Sequence, residues 1–165
     1  MKTGRTTTES DSAVRQHVLY LLGGGGAHVG FDEAVKGLPE ALRGKAPRGL
    51  PYSTWQLLEH MRITQWDIVE FSRNREHRSP EWPAGYWPLS AAPPNRSAWT
   101  KSLAAFRADL EAMKTLVRDP ATDLYARIPW GDGQTILREA LLVADHNAYH
   151  LGELVVVRRV LGAWR

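Results

Sequence analysis

The sequence predicts an all-α fold, and three features of the chain support that prediction. All ten prolines fall in three zones, at residues 39–51, 80–94 and 120–129, and they leave four long stretches without proline. Proline costs about 3 kcal/mol inside a helix, so helices are expected in the proline-free stretches. Apolar residues recur there at helical steps of three and four. No useful length of chain shows the alternation of an exposed strand.

The first two helices are predicted from their apolar stripes and their ends. Residues 10–22 carry apolar side chains at helical spacing and are followed by the four glycines 23–26, through which a helix would not continue. The second helix is predicted to begin at Ser53. Gln56 lies three residues later, in the arrangement of a capping box. This helix is expected to end near Ser72.

The other two helices lie in the second half of the chain. Residues 97–118 carry the apolar stripe that a helix of a bundle presents to its partners. Residues 135–161, before Gly162, form the longest and least amphipathic pattern. A shorter helical pattern covers residues 31–38. The connections between the first three helices are long for a simple bundle, which favours crossovers or loops that cover a site.

Length and composition indicate one globular domain over residues 1–165, with about residues 1–9 as a flexible N-terminus. The chain has 43% hydrophobic and 24% charged residues, so a core can form. The absence of cysteine excludes disulfides, Cys-ligated metals and a thiol nucleophile from the protein itself. The first twelve residues are polar, and no apolar run approaches the roughly 18 residues of a membrane span. We therefore expect a cytoplasmic protein that does not enter a membrane.

The charge pattern does not favour nucleic-acid binding. The chain has 21 basic and 18 acidic residues, a net charge of +3, and the basic residues are scattered. Binding to a phosphate backbone requires clustered cations. A nucleic-acid partner is therefore not expected.

Among six histidines, His146 and His150 are the most informative. Four residues apart on a helix, they lie about 40° apart around the axis and about 6 Å along it, on one face. Two imidazoles so placed can bind one ion. His60 belongs to the apolar stripe of the second predicted helix, so it is expected to turn inward and to reach an ion on a facing helix.

The spacing alone leaves other interpretations of these histidines open. A pair at this spacing also occurs on helix surfaces or as a satisfied polar pair in a core. Three further residues near these histidines also have two possible placements each. Asp67 and Glu153 follow the histidines on the same helix faces and are expected either to support the site or to lie in solvent, and Tyr149 either lines a pocket or packs.

The remaining histidines and the loop aromatic residues have less definite predictions. His17 is expected at the edge of the core rather than as a fourth ligand. His28 is not placed, and His77 is expected to be exposed. The loop rings are expected to cover the core, a pocket or a partner chain; they are Trp82, Tyr86, Trp87 and Trp130.

Two segments resemble the DinB-like superfamily of YfiT-like metalloenzymes. They are ADHNAYHLGELVVVRRVLG from Ala144 and WQLLEHMRITQWDI from Trp55. The segments GGGGAHVGFDEAV, PYSTWQLLEH and GDGQTILREALL extend the resemblance over most of the chain. It implies an up-down-down-up four-helix bundle, often a homodimer, which binds a divalent ion such as zinc or nickel. On this resemblance the three ligands are His60, His146 and His150.

The resemblance also implies a chemistry. Characterised relatives include thiol-dependent transferases and isomerases that use bacillithiol or mycothiol. Three neutral imidazoles leave an ion one free position, where a thiol or a water molecule is activated. We therefore expect a metal-dependent enzyme in which such a nucleophile attacks a small electrophile, as a thiol S-transferase, an isomerase or a hydrolase. The alternatives are a metal-binding, stress-related bundle without turnover and a dimeric interaction module. The sequence identifies neither the substrate nor a residue that moves protons.

Overall fold

The computed structural model describes residues 8–164. Five helices form its framework: α1 (Glu9–Leu22), α2 (Phe31–Val35), α3 (Thr54–Arg73), α4 (Ala98–Arg118) and α5 (Ile136–Val160). Two single-turn 3-10 helices, Glu40–Leu42 and Ala84–Tyr86, lie in the connections. The described range contains no strand, only an isolated bridge between Arg127 and Thr135. The prediction of an all-α fold is confirmed.

The ends of the long helices follow from local chemistry. Ser53 Oγ accepts a hydrogen bond from the Gln56 amide at 3.2 Å, and Gln56 Oε1 accepts one from the Ser53 amide at 3.0 Å. The predicted capping box is therefore present. Thr135 caps α5 through its hydroxyl, which accepts a hydrogen bond from the Arg138 amide. The left-handed backbone of Gly24 (φ 98°) follows the end of α1, where residues with a Cβ would be strained.

The prediction of a flexible N-terminus over about residues 1–9 can be compared with the structure only at residues 8 and 9. Residues 1–7 lie outside the described part of the chain. Thr8 and Glu9 were included in that prediction, but Thr8 is the N-cap of α1 and Glu9 its first residue. The Thr8 hydroxyl accepts a hydrogen bond from the Asp11 amide, which starts the helix one residue earlier than expected.

The four long helices pack against one another, and α3 contacts both α4 and α5 extensively. One cluster of buried apolar side chains joins α2 to the first half of α3 and the last part of α5. A second cluster joins α1 to the second half of α3 and the first part of α5. On α5 the second cluster ends at Val143 and the first resumes at Leu151. The histidines of α5 lie between these two clusters.

A buried amide pair ties three helices together beside this junction. Gln65 on α3 donates from Nε2 to the carbonyl of Phe106 on α4 at 2.7 Å. Its Oε1 accepts from Asn147 Nδ2 on α5 at 2.9 Å. Because Asn147 follows His146 directly, these hydrogen bonds help to set the position of α5 relative to α3.

No helix within residues 8–164 has the length and apolar character needed to cross a membrane.

Candidate metal centre

Three imidazole rings converge between α3 and α5. His60 Nε2 lies 3.1 Å from His146 Nε2, and one ring nitrogen of each of the three histidines lies within 4.8 Å of the others. The ring centroids of His146 and His150 are 4.4 Å apart, and those of His60 and His150 are 4.5 Å apart. His60 and His150 are buried, and His146 is half-buried. The structure therefore brings together the three histidines that the sequence selected.

The Tyr86 carbonyl decides how the His60 ring is oriented. It lies 2.9 Å from His60 Nδ1, and because a carbonyl can only accept, the ring nitrogen donates. Burial lowers the pKa of His60 below its ordinary value; this effect outweighs the Tyr86 hydrogen bond, which raises the pKa. The ring is therefore neutral, its proton is on Nδ1, and its Nε2 lone pair points toward the other two histidines.

Glu153 has the same role for His150. Its Oε2 lies 2.6 Å from His150 Nδ1, one helical turn along α5. A carboxylate accepts, so the ring donates through Nδ1 and leaves Nε2 as the free donor atom for an ion. Glu153 thus contacts the His150 ring rather than lying free in solvent.

His146 completes the group and has the most strongly perturbed pKa. Burial first, and then repulsion from His150 and His60, lower its pKa to about 3. An imidazole with this pKa is neutral at physiological pH. A neutral His146 carries one ring proton, so its Nε2 can either donate to His60 Nε2 at 3.1 Å or present a lone pair to an ion.

The donor set fits a small divalent cation. Two nitrogens bound to one tetrahedral ion at about 2.0–2.1 Å lie about 3.3–3.4 Å apart, close to the 3.1 Å between His60 Nε2 and His146 Nε2. Two of the rings have their outer nitrogens held by acceptors, as metal-binding histidines usually do. A three-nitrogen set leaves a tetrahedral ion one position for another molecule.

Comparison with known proteins agrees with this geometry. A family model described as the DinB superfamily matches residues 28–154, a range that includes all three histidines. The chain belongs to the DinB superfamily. No curated protein and no solved structure matches it. The resemblance seen in the sequence is confirmed, and DinB-superfamily membership is compatible with a divalent metal between the rings.

Aromatic rings close one side of this DinB-superfamily centre. The Trp87 ring stacks on His60 at 3.9 Å with an interplanar angle of 2°, and Tyr52 stacks on Trp87 at 4.0 Å. Trp87 therefore covers the site, as expected for a loop aromatic. Trp130 donates from Nε1 to the Phe71 carbonyl. Trp82 touches Tyr86 with its edge yet stays 75% exposed, so within this chain it covers neither core nor site.

Asp67 supports the centre only indirectly. It is buried and accepts a hydrogen bond from the Tyr86 hydroxyl at 2.6 Å. The carbonyl of that same tyrosine holds His60. Burial and the hydrogen bond to Asp67 raise the pKa of Tyr86 to about 12, so the phenol keeps its proton. Asp67 thus fixes the loop residue that orients a ring rather than the ring itself.

The prediction that His77 is exposed is wrong. Its side chain is only 8% exposed, its Nε2 lies 2.7 Å from Asp67 Oδ1, and its ring meets the edge of Trp66. The charged neighbours in the sequence indicated solvent. The segment after α3 instead folds back along that helix, a path that neighbouring residue types do not reveal.

The other sequence-selected residues lie outside the group of three rings. Tyr149 meets His150 edge to face at 4.9 Å but is 65% exposed, so it borders the centre from the solvent side. His17 is exposed on α1, so its expected place at the edge of the core is wrong. His28 is exposed and its Nδ1 contacts the carbonyl of Val29.

Sequence reasoning missed Tyr52 and the function of the Tyr86 carbonyl. Both act through loops whose positions depend on long-range packing. A backbone carbonyl has no residue signature, so no pattern in the sequence could have identified it. Tyr52 directly precedes the Ser53 cap of α3, which was the only available sign that it lies near His60.

Proposed function

We propose that this DinB-superfamily protein is a divalent-metal-dependent enzyme whose ion is held by His60, His146 and His150. The observation that supports this most strongly is the convergence of three imidazoles, two of them oriented through their outer nitrogens. Imidazole nitrogens that converge in this way, with acceptors on the outer nitrogens, are typical of a metal site with a free position.

The proposed reaction is attack of a thiol or a water molecule on a small electrophile. A divalent ion in such a site lowers the pKa of the thiol or water at its free position, which makes a nucleophile available near neutral pH. His60 and His150 are kept in the required tautomer by Tyr86 and Glu153. The Glu153 side chain is 36% exposed, so it is also placed to accept a proton from the solvent side.

Several parts of this proposal come from the resemblance to the family. Zinc and nickel are the proposed ions, since imidazole suits both and the chain has no cysteine. A low-molecular-weight thiol is the proposed cosubstrate, and the reaction is an S-transfer, an isomerisation or a hydrolysis. We further propose an up-down-down-up bundle that forms a homodimer in the cytoplasm.

The first test is metal binding by protein freed of metal with a chelator. The wild type should bind one zinc or nickel ion per chain, and His150→Ala should bind at least a hundredfold more weakly because one of three ligands is lost. His17→Ala, which removes an exposed histidine, is the matched control and should bind like the wild type. The measurement is competition with a chromophoric chelator.

Thermal unfolding gives a second readout of the same binding. An ion at a hundredfold excess over its Kd should add about 2.7 kcal/mol to the free energy of unfolding of the wild type. His150→Ala should gain nothing, while its metal-free form should stay helical. A wild type that neither binds zinc or nickel nor gains stability from them would refute the metal site.

A cobalt-substituted protein separates enzyme chemistry from simple metal retention. Adding a small thiol should change the visible and near-ultraviolet absorption of bound cobalt, because the thiolate enters the free position. If cobalt binds but its spectrum does not change when a thiol, or an anion that can displace bound water, is added, the metal-binding bundle without turnover is the better description.

A further inference from the structure

An apolar pocket of about 160 Å³ lies beside the three histidines and has no assigned use. Six apolar residues line it: Leu50, Pro51, Tyr52, Leu57, Val156 and Val157. The only charged residue in its lining is Glu153. The pocket lies between the segment that precedes α3, the first turn of α3 and the last part of α5.

The pocket shares walls with the histidine centre. Glu153 borders the pocket and also holds His150 Nδ1 at 2.6 Å. Tyr52 borders the pocket and stacks on Trp87, which stacks on His60. Leu57 is three residues before His60 on α3, or about 4.5 Å along the helix axis. The pocket and the histidine centre are therefore neighbours that have Glu153 and the Tyr52–Trp87 stack in common.

The size and lining of the pocket define what it can hold. The pocket is partly open to solvent, and its volume of about 160 Å³ is enough for a group the size of a benzene ring. Its lining offers contact area but, apart from Glu153, no charged group. A negatively charged group would be repelled by the Glu153 carboxylate, and a strongly hydrated group would lose its water without compensation.

We propose that this pocket binds a compact, uncharged apolar group of the substrate, the size of a phenyl ring or a branched alkyl group. The electrophilic atom of the same molecule then lies at the three-histidine centre. The link to a reaction rests on the proposed function, whereas binding of the apolar group does not. The substrate class is therefore a small electrophile with one apolar substituent.

The test uses toluene as the probe and variants that differ by one helical turn. Val156 lines the pocket and is 45% exposed, so Val156→Trp can fill the pocket without displacing the core. Val160 lies one turn further along α5, is 59% exposed and does not line the pocket, so Val160→Trp is the matched control. Val156→Lys, which places a charge at the same position, is a second, smaller change.

Toluene binding is followed by chemical shifts of backbone amides in the full-length protein. The wild type and Val160→Trp should bind toluene with the same affinity, with shifts centred on Val156 and Val157. Val156→Trp and Val156→Lys should bind at least tenfold more weakly. The proposal is overturned if the wild type shows no saturable shifts there, or if both Val156 variants bind like the control.

Repeating the titration with chelator-treated and zinc-loaded protein separates the two proposals. Toluene bound in the pocket of a protein that takes up no metal would refute the metal centre and leave the apolar site standing. Zinc bound with ordinary affinity by a protein that ignores toluene would refute the apolar site alone. Val156→Trp should keep its zinc affinity within about twofold, because Val156 is six residues from His150, or about 9 Å along the helix axis.

Discussion

The protein has two groups of polar side chains inside its helical framework, which differ in their hydrogen bonding. One is Arg15 on α1, and the other is the set of three histidines between α3 and α5. Arg15 pairs all three guanidinium nitrogens. Its Nε donates to Asp11 at 2.8 Å, Nη1 to the Val117 and Asp119 carbonyls, and Nη2 to the Thr122 carbonyl at 2.7 Å. The guanidinium thereby ties the end of α4 to α1.

Two of the histidines have a hydrogen-bond acceptor at the ring nitrogen that faces away from the other rings. His60 and His150 donate outward to Tyr86 and Glu153. Within the described part of the chain, the only hydrogen-bond contact on the inner side is that between His60 Nε2 and His146 Nε2. Arg15 uses every donor within the fold, whereas the inner nitrogens of the histidines face one another and are the atoms that an ion would bind. This difference in hydrogen bonding is the reason for giving Arg15 a structural role and for proposing metal binding by the histidines.

The largest expected effect is on the structural cluster. Arg15→Met should lower the free energy of unfolding by about 3–5 kcal/mol, since it leaves Asp11 and three carbonyls buried without their donor. Denaturant unfolding measures this loss. His17→Ala, on the exposed side of α1, should change stability by no more than about 0.5 kcal/mol. A loss below about 1 kcal/mol for Arg15→Met would contradict the assigned role. Its affinity for zinc or nickel should stay unchanged.

The next effect concerns the outer partner of His150. Glu153→Ala should weaken zinc or nickel binding about 10–100-fold, because the ring loses the acceptor that sets its tautomer and orientation. Glu153→Gln should restore part of that loss, since its amide oxygen still accepts from Nδ1. Glu111→Ala, which removes an exposed carboxylate of α4, is the control and should bind metal normally. Equal affinities for Glu153→Ala and this control would show that the ring is positioned by packing alone.

The histidine cluster should also make the metal-free protein sensitive to acid. His146 has a folded-state pKa of about 3, and the pKa of His60 is lowered as well, both mainly by burial. In the unfolded chain these rings titrate near 6.5. Between these values the unfolded state binds more protons, so stability is complete above about pH 6.5 and falls as the pH drops. The slope is up to about 1.4 kcal/mol per pH unit for each ring.

Unfolding of metal-free protein by denaturant at pH 7, 6 and 5 measures this slope. His146→Ala should reduce it, whereas Val160→Trp, which removes no titrating group, should not. Identical slopes for the wild type and His146→Ala would show that the buried ring is protonated in the folded state after all.

The smallest effect concerns Asp67 and the loop that carries Tyr86. Tyr86→Phe removes the hydroxyl that donates to Asp67 and should weaken metal binding roughly two- to tenfold, since one hydrogen bond holding the loop is lost. The His60 contact is to a backbone carbonyl and is kept. Isothermal titration with zinc would detect the change. Tyr125→Phe, on another loop, is a control that should leave the affinity unaltered.

The helices were predictable because their signals are local and repeated. The capping box of Ser53 and Gln56 marked the start of α3 correctly, and the apolar stripe placed His60 on its inner face. The spacing of His146 and His150 placed both rings on one side of α5. The surroundings of individual histidines were predicted less well. His77 was expected in solvent and lies against Asp67, and His17 was expected at the core edge and is exposed.

From the sequence alone came the helices, the absence of cysteine chemistry and the choice of three histidines, which rested on helical spacing together with the resemblance to the DinB-like superfamily. Tertiary structure alone decided which ring nitrogen faces inward, through the Tyr86 carbonyl and the Glu153 carboxylate. It also placed Tyr52 and Trp87 beside His60 and formed the apolar pocket next to them. These contacts join segments far apart in the chain, and their geometry depends on how the whole core packs rather than on any short-range pattern.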